Sequence, residues 1–412
     1  MKTISQLLTI SALFLLFGCQ DDTVSDLNVA PDLTPLSSEE TQLVNTANDF
    51  SFDLFRALQQ GNKNQNLFFS PFSVDVALHM TANGATGDTK TAMQQVLGTE
   101  DLDDAMVNGA MKNLSSQLAK ADAKVTWNTA NAIWFQDSYT LENNFRELIQ
   151  TYYDGRIEGL DFGDPGAKDV INGWVADRTQ GKIENLIENL GGNTAMVLTN
   201  AVYFQADWQY RFDASQTQEA PFYLEDGTEK TVPMMFSEGV HLRRYYEEEY
   251  QLLEIPYGNG QYTMVVMLPN GEKTIDEAVN NLTAENLATR LAQADTLTTQ
   301  LFFPKFKMEF KTDLVKTLTD MGMEVAFSGQ ASFGGFFADV KSGLFIDQVV
   351  HQAFLEVNEA GSEAAAATAV VVSNRSDSEP GPSTIRVDRP FVLLIRERHT
   401  GAVLFAGKVM RL

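Results

Sequence analysis

The apolar positions of this chain change period several times. From Leu43 and Val44 through Phe55 and Leu58 they recur at the spacing of one helix face. Asn66 to Ser70 reads as a short strand, and Pro71 then opens a second helix through Val76, Leu78 and Met80. Proline suits the first helical position, where its missing N–H has no intrahelical partner to lose. Val125 to Phe135 has strand character, and Ile171 to Val175 begins a helix that ends near Gly181. The branched and aromatic residues from Met196 to Gln205 predict a buried strand. Tyr262 to Leu268 predicts another, closed by a turn at Pro269-Asn270-Gly271, while Gly258-Asn259-Gly260 reads as a hairpin tip. Phe391 to Arg396 and Val403 to Val409 pair around His399-Thr400-Gly401. Strands and helices interleave with no Pro/Gly-rich linker after Ser38, which predicts one α+β domain.

One stretch does not resolve by periodicity. From Ser362 to Val372 the alternate positions are Ser, Ala, Ala, Thr, Val and Val, and the other face is Ala and Val except for Glu363. Alanine favours a helix end, whereas three consecutive valines favour a strand covered on both faces. Composition leaves both open. The run then enters Asn374-Arg375-Ser376-Asp377-Ser378-Glu379-Pro380-Gly381-Pro382, which predicts an exposed loop.

Composition narrows the function. The 412 residues are 44% hydrophobic, enough for a sizeable core. A net charge of −25 argues against nucleic acid and other polyanions as partners, because phosphate-rich ligands need a basic face. Met1-Lys2, the apolar run Ile4 to Phe17 and then Gly18-Cys19 resemble a bacterial lipoprotein signal over residues 1–18, with Cys19 as the lipidated residue. Residues 19–40 then read as a flexible tether and 41–412 as the folded domain. Cys19 is the sole cysteine, so thiol catalysis, thiolate metal sites and disulfides are not expected. The four histidines, His79, His241, His351 and His399, form no His-Glu-x-x-His helix. Neither a Gly-x-Ser-x-Gly elbow nor a phosphate-cradling Gly-x-x-x-x-Gly-Lys loop occurs, so hydrolase chemistry is the weakest reading.

From about Leu43 to Leu412 the chain resembles the serpin family. The resemblance rests on Asn66-Leu67-Phe68-Phe69-Ser70-Pro71-Phe72-Ser73, on Leu198-Thr199-Asn200-Ala201-Val202-Tyr203-Phe204 with Trp208, and on Val350 to Val357. Asp388-Arg389-Pro390-Phe391 and Leu404-Phe405-Ala406-Gly407-Lys408-Val409 complete it. It implies a large central mixed β-sheet, further sheets, surrounding helices and a mobile reactive-centre loop over about residues 359–385. It implies a hinge at Glu359, Gly361, Ser362, Glu363, Ala364, Ala365, Ala366, Ala367 and Thr368, with Gly361 permitting the backbone rearrangement. It also implies a polar shutter of Ser70, Ser73, Asn200 and His351, and a breach at Trp208.

The implied activity is suicide-substrate inhibition of a serine protease through a covalent complex, with loop insertion between the third and fifth strands of the central sheet. About sixteen positions beyond Glu359 lies Arg375, so the expected reactive bond is Arg375–Ser376, which fits trypsin-like proteases. Asn374 is the neighbouring alternative, because the far side of the loop is long. Arg386 lies beyond two prolines and Arg389 precedes Pro390, so both compete poorly. Small hinge residues favour an active inhibitor over a non-inhibitory family member acting as an envelope binding or structural protein. The region Glu100 to Lys124 begins with acidic residues, so heparin activation is not expected. No cofactor or metal is expected, and the chain reads as a monomer. Membrane contact is expected only through the lipid at Cys19. The location is then the bacterial envelope, at the outer membrane, with surface exposure or an extracellular position also open.

Overall fold

A computed structural model describes residues 33–339, 343–362 and 383–412. The chain begins with α1 (Ser38–Gly61), β1 (Leu67–Phe69), α2 (Pro71–Ala82), α3 (Gly87–Leu97) and α4 (Asp104–Lys120). It continues through β2 (Val125–Gln136), α5 (Asn143–Tyr152), β3 (Arg156–Leu160), α6 (Ala167–Arg178) and β4 (Met196–Asp207). A hairpin-rich section comes next: β5 (Gln218–Tyr223), β6 (Glu229–Tyr246), β7 (Tyr250–Pro256) and β8 (Tyr262–Pro269). Then come α7 (Ile275–Asn280), α8 (Ala284–Ala292), β9 (Asp295–Pro304), β10 (Phe306–Asp313) and α9 (Val315–Leu318). The last strands are β11 (Gln348–Val357), β12 (Gly361–Ser362), β13 (Ser383–Arg386), β14 (Phe391–Glu397) and β15 (Val403–Val409).

The expected α+β architecture is present as two sheets. One is a six-stranded mixed sheet in the order β10-β11-β12-β4-β2-β3. The other runs β1-β15-β14-β8-β7-β6-β9-β13, with β5 on β6. The eighteen-residue β6 carries a register shift between Ser237 and Val240, where Gly239 takes φ +75°. β6 pairs with β9 on both sides of that bulge, so the sheet is continuous across it. The largest core lies between the two sheets and the helices α1, α2 and α4. A second core, including Trp134, Ile171, Val175, Val197 and Ala201, lies between α6 and the other face of the six-stranded sheet.

Most expected elements occur within a few residues of their expected bounds. The folded body starts before residue 41, because Ser37 caps α1 by accepting from Glu40 N–H while Glu40 accepts from Ser37 N–H. α6 starts at Ala167 and ends at Arg178, earlier than the apolar spacing predicts. α2 is buried along all twelve residues, with Pro71 in its first turn and Ser70 as its N-cap. A helix buried all round belongs to the interior of a large fold, and this one carries Asp75 and His79 into it.

Candidate functional site: the seam between β4 and β11

In the lower part of the six-stranded sheet, β11 lies directly against β4. The two strands run parallel, from Gln348 opposite Val197 to Phe354 opposite Tyr203. Above that point they part. The space is filled by β12, which runs antiparallel to both: Ser362 pairs with Val357 on one side and Ala206 on the other, and Gly361 pairs with Asp207. Ser362 is fully buried, and its hydroxyl shares a 2.7 Å hydrogen bond with Tyr257. Gly361 and Ser362 therefore already occupy the mouth of a seam that is shut below them.

The turn into β12 is tightly held. Asn358 Oδ1 accepts from the backbone N–H groups of Ala360 and Gly361, and Asn358 N–H donates to Gly361 O. Trp208 donates from its indole to Asn358 O at 2.9 Å and from its backbone to Ala360 O, and it stacks on Tyr257 with centroids 4.3 Å apart. Glu359 accepts from Lys305 Nζ and Thr217 Oγ1, both at 2.9 Å. Burial opposes ionisation of Glu359, but these donors prevail and hold its carboxyl below the usual range. Gly361 has no left-handed φ, so its conformational freedom is not what this state uses. It is required by space, because a Cβ there would lie 2.1 Å from Ala206 O.

Below the mouth, Asn131 of β2, Asn200 of β4 and His351 of β11 stand in register across three neighbouring strands. His351 Nδ1–H donates to Asn200 Oδ1, and His351 Nε2 accepts from Ser70 N–H at 3.1 Å. Asn200 Nδ2 donates to Ser73 O at 2.9 Å, to Ser73 Oγ and to Asn131 Oδ1. Ser70 Oγ donates to Leu404 O, tying the cluster to β15. Every member is buried, and burial pushes the His351 imidazole down to about 3, so it is neutral. A neutral ring with one donor and one acceptor is what this chain of bonds needs.

The structure brings Ser70, Ser73, Asn200 and His351 together, and it places Trp208, Glu359, Gly361 and Ser362 around the upper seam. Cys19, Glu363, Ala364, Ala365, Ala366, Ala367, Thr368, Arg375 and Ser376 lie outside the described residues. Sequence reasoning missed Asn131, Tyr257, Lys305 and Thr217. Asn131 was visible as a polar residue between two alanines in an apolar strand, whereas the other three carry no local signal.

This arrangement defines a class: a mixed sheet whose two central strands pair directly at one end and part at the other around the start of a long connection. Residues 45–412 match the family described as Serpin (serine protease inhibitor). A serpin-like protein of Thermococcus kodakarensis is 37% identical over 90% of this chain and 86% of its own length. Human antithrombin-III is 32% identical over 84% of this chain and 77% of its length. Among solved structures, native tengpin, a thermophilic serpin, superposes with a TM-score of 0.82 at 28% identity, covering 92% of this chain and 96% of that one. Human thyroxine-binding globulin with its hormone gives 0.84 at 29% identity, covering 91% and 99%. The chain belongs to the serpin family.

Proposed function

We propose that this serpin is a suicide-substrate inhibitor of trypsin-like serine endopeptidases, cleaved after Arg375 and anchored through Cys19 at the bacterial envelope. The protease serine oxygen attacks the Arg375 carbonyl carbon, and the bond to Ser376 nitrogen breaks. That nitrogen leaves with a proton as the new amino terminus, so the acyl-enzyme stays on the freed upstream segment. The protein acts as a trap and not as a catalyst.

The observation that carries this reading is the seating of Gly361–Ser362 antiparallel to both walls of the seam. Continued downward, the same register sets Val371 between Val197 and Gln348, and Thr368 between Asn200 and His351. The run Ser362 to Val372, uncharged but for Glu363, then ends opposite Met196, where β4 begins. Even-numbered residues would follow Ser362 toward the large core, and odd-numbered ones toward α6. Insertion would exchange one parallel ladder for two antiparallel ones, a net gain of hydrogen bonds worth about 1 kcal/mol each. Thr368, with a hydroxyl that both donates and accepts, is suited to the gap between Asn200 and His351 once their direct bond is broken.

Incubation with trypsin tests the proposal. An SDS-resistant complex is expected, together with a released fragment whose sequence starts at Ser376. Cleavage without a complex would leave a family member that does not inhibit, and a fragment starting elsewhere would move the reactive bond.

A further inference from the structure

α2 carries a buried ionisable pair that the insertion mechanism leaves unused. Asp75 is fully buried and His79, one turn later on the same face, is 4% exposed. His79 Nε2 and Asp75 Oδ1 lie 3.6 Å apart. Among the described residues neither carboxylate oxygen of Asp75, nor His79 Nε2, has a hydrogen-bond partner. His79 also lines a cavity of about 10 Å³ with Asn83, Gln94, Thr99, Asp104, Val107 and Asn108, which is room for one water at most.

The neighbours offer little compensation. Tyr153, at the end of α5, is engaged with Asn83 and Asn108, which also bond each other. Asp104 of α4 also lines the cavity and is paired with Lys90 of α3. Among the described residues lining the cavity Asp104 is the one carboxylate, paired with Lys90, and the nearby Tyr153 phenol is held neutral by burial. An isolated buried carboxylate or imidazolium is expensive here, but a carboxyl and an imidazole that hold one proton between them are neutral as a unit.

We propose that Asp75 and His79 hold a single proton that pins α2 against α3 and α4, so that the intact inhibitor loses its metastable state as pH rises. α2 has the polar cluster at one end, through Ser70 and Ser73, and this pair one to two turns further on. α2 packs against both β2 and β4, the strands on one side of the seam. Removing the proton leaves an unpaired carboxylate inside, and the helix can hydrate it only by leaving its seat.

The direction of the pH effect is set by proton counts. Burial pushes the His79 imidazole down to about 4 and raises the Asp75 carboxyl well above the usual range. The shared proton therefore sits on Asp75. Between about pH 4 and 6.5 the folded pair and the unfolded chain each bind one proton, on Asp75 and on His79 respectively, so stability is flat. Above 6.5 the unfolded chain loses its proton, while the buried pair resists losing its own, because a bare Asp75 carboxylate has no hydrogen-bond donor among the described residues. Stability contributed by the pair then changes with the difference in bound protons.

The folded pair holds the extra proton above pH 6.5, so each further rise in pH favours the unfolded chain until the pair gives up that proton too. The consequence for inhibition rests on the inhibitor reading, but the first test does not. Equilibrium unfolding of the intact protein from pH 5 to 9, without any protease, should be compared with Asp75→Asn. That variant retains a donor toward His79 Nε2 and has no proton to lose. The unfolding constant of the wild type should rise above pH 6.5 by up to tenfold per pH unit relative to the variant. Inhibitory capacity after incubation at pH 9 should fall in parallel for the wild type only. Equal pH slopes in the two proteins overturn the proposal. Should Asp75→Asn fail to fold, ¹H–¹⁵N spectra of the wild-type imidazoles, with His79→Gln for assignment, decide it. A His79 ring that stays neutral to pH 5 supports the shared proton, and one that titrates near 6.5 overturns it.

Discussion

The two halves of the β4–β11 seam differ in how they are closed. The lower half is shut by a seven-residue parallel ladder and by a buried chain of bonds from Ser70 through His351 and Asn200 to Ser73. The upper half is already open and holds Gly361–Ser362 under Trp208 and Tyr257. Under the proposed mechanism this asymmetry gives insertion a direction. A strand that enters at the top advances downward one pair at a time. Each step adds hydrogen bonds to two walls before the next part of the lower ladder has to break. The polar cluster is the point where that advance must exchange one set of bonds for another, which makes it the natural place for a barrier.

Breaking the advance itself should have the largest effect. Ala366→Pro puts a residue without an N–H, and with fixed φ, in the middle of the incoming strand. Cleavage by trypsin should continue while the covalent complex on a denaturing gel disappears. A complex that persists would remove strand insertion from the mechanism. Opening the lower half comes next. Asn200→Ala removes the acceptor of His351 Nδ1–H and the donor to Ser73 O, Ser73 Oγ and Asn131 Oδ1, and should lower the stability of the intact protein by about 3 kcal/mol in denaturant melts. Its stable lifetime as an inhibitor should shorten with it. The upper half is the more forgiving. Gly361→Ala forces a methyl against the β4 backbone and should cost about 1–3 kcal/mol, read as expulsion of the hinge and faster proteolysis at residues 359–362.

The last effect is graded by pH and is small at each step. His351 is held neutral with its value at about 3, against 6.5 for an ordinary histidine. The unfolded chain therefore takes up a proton that the folded chain refuses as pH drops below 6.5. Stability is lost on acidification, by up to about 1.4 kcal/mol per pH unit, across the window from 6.5 to 3. Melts of His351→Gln should lack this component, and an unchanged acid slope would place the sensitivity elsewhere.

Much of the fold was legible because it depends on local pattern. Pro71 after a short apolar strand, the branched run from Met196, and the paired strands at the C-terminus each announce themselves by periodicity and turn chemistry. Their extents moved by only a few residues, at α1 and α6, where a capping box and an uncapped start override the apolar spacing. The site was legible only in part. Ser70, Ser73, Asn200 and His351 were identified through a family resemblance, since nothing in their spacing says that they touch. Asn131 was missed, although it completes their row, because one polar residue in a strand is a common occurrence. Lys305 and Thr217 could not be found at all, because they meet Glu359 only when β5, β10 and the hinge are brought together.

The sequence by itself determined that Ser362 to Val372 is small, uncharged but for Glu363, and able to follow either a helix or a strand, and that an arginine comes soon after it. The reason is chemical: side-chain size and charge are properties of the residues alone. Only the tertiary structure decided that β4 and β11 lie side by side with Ser362 between their upper ends. Pairing of strands far apart in sequence is a long-range choice, made by which buried faces and backbone bonds can be satisfied together.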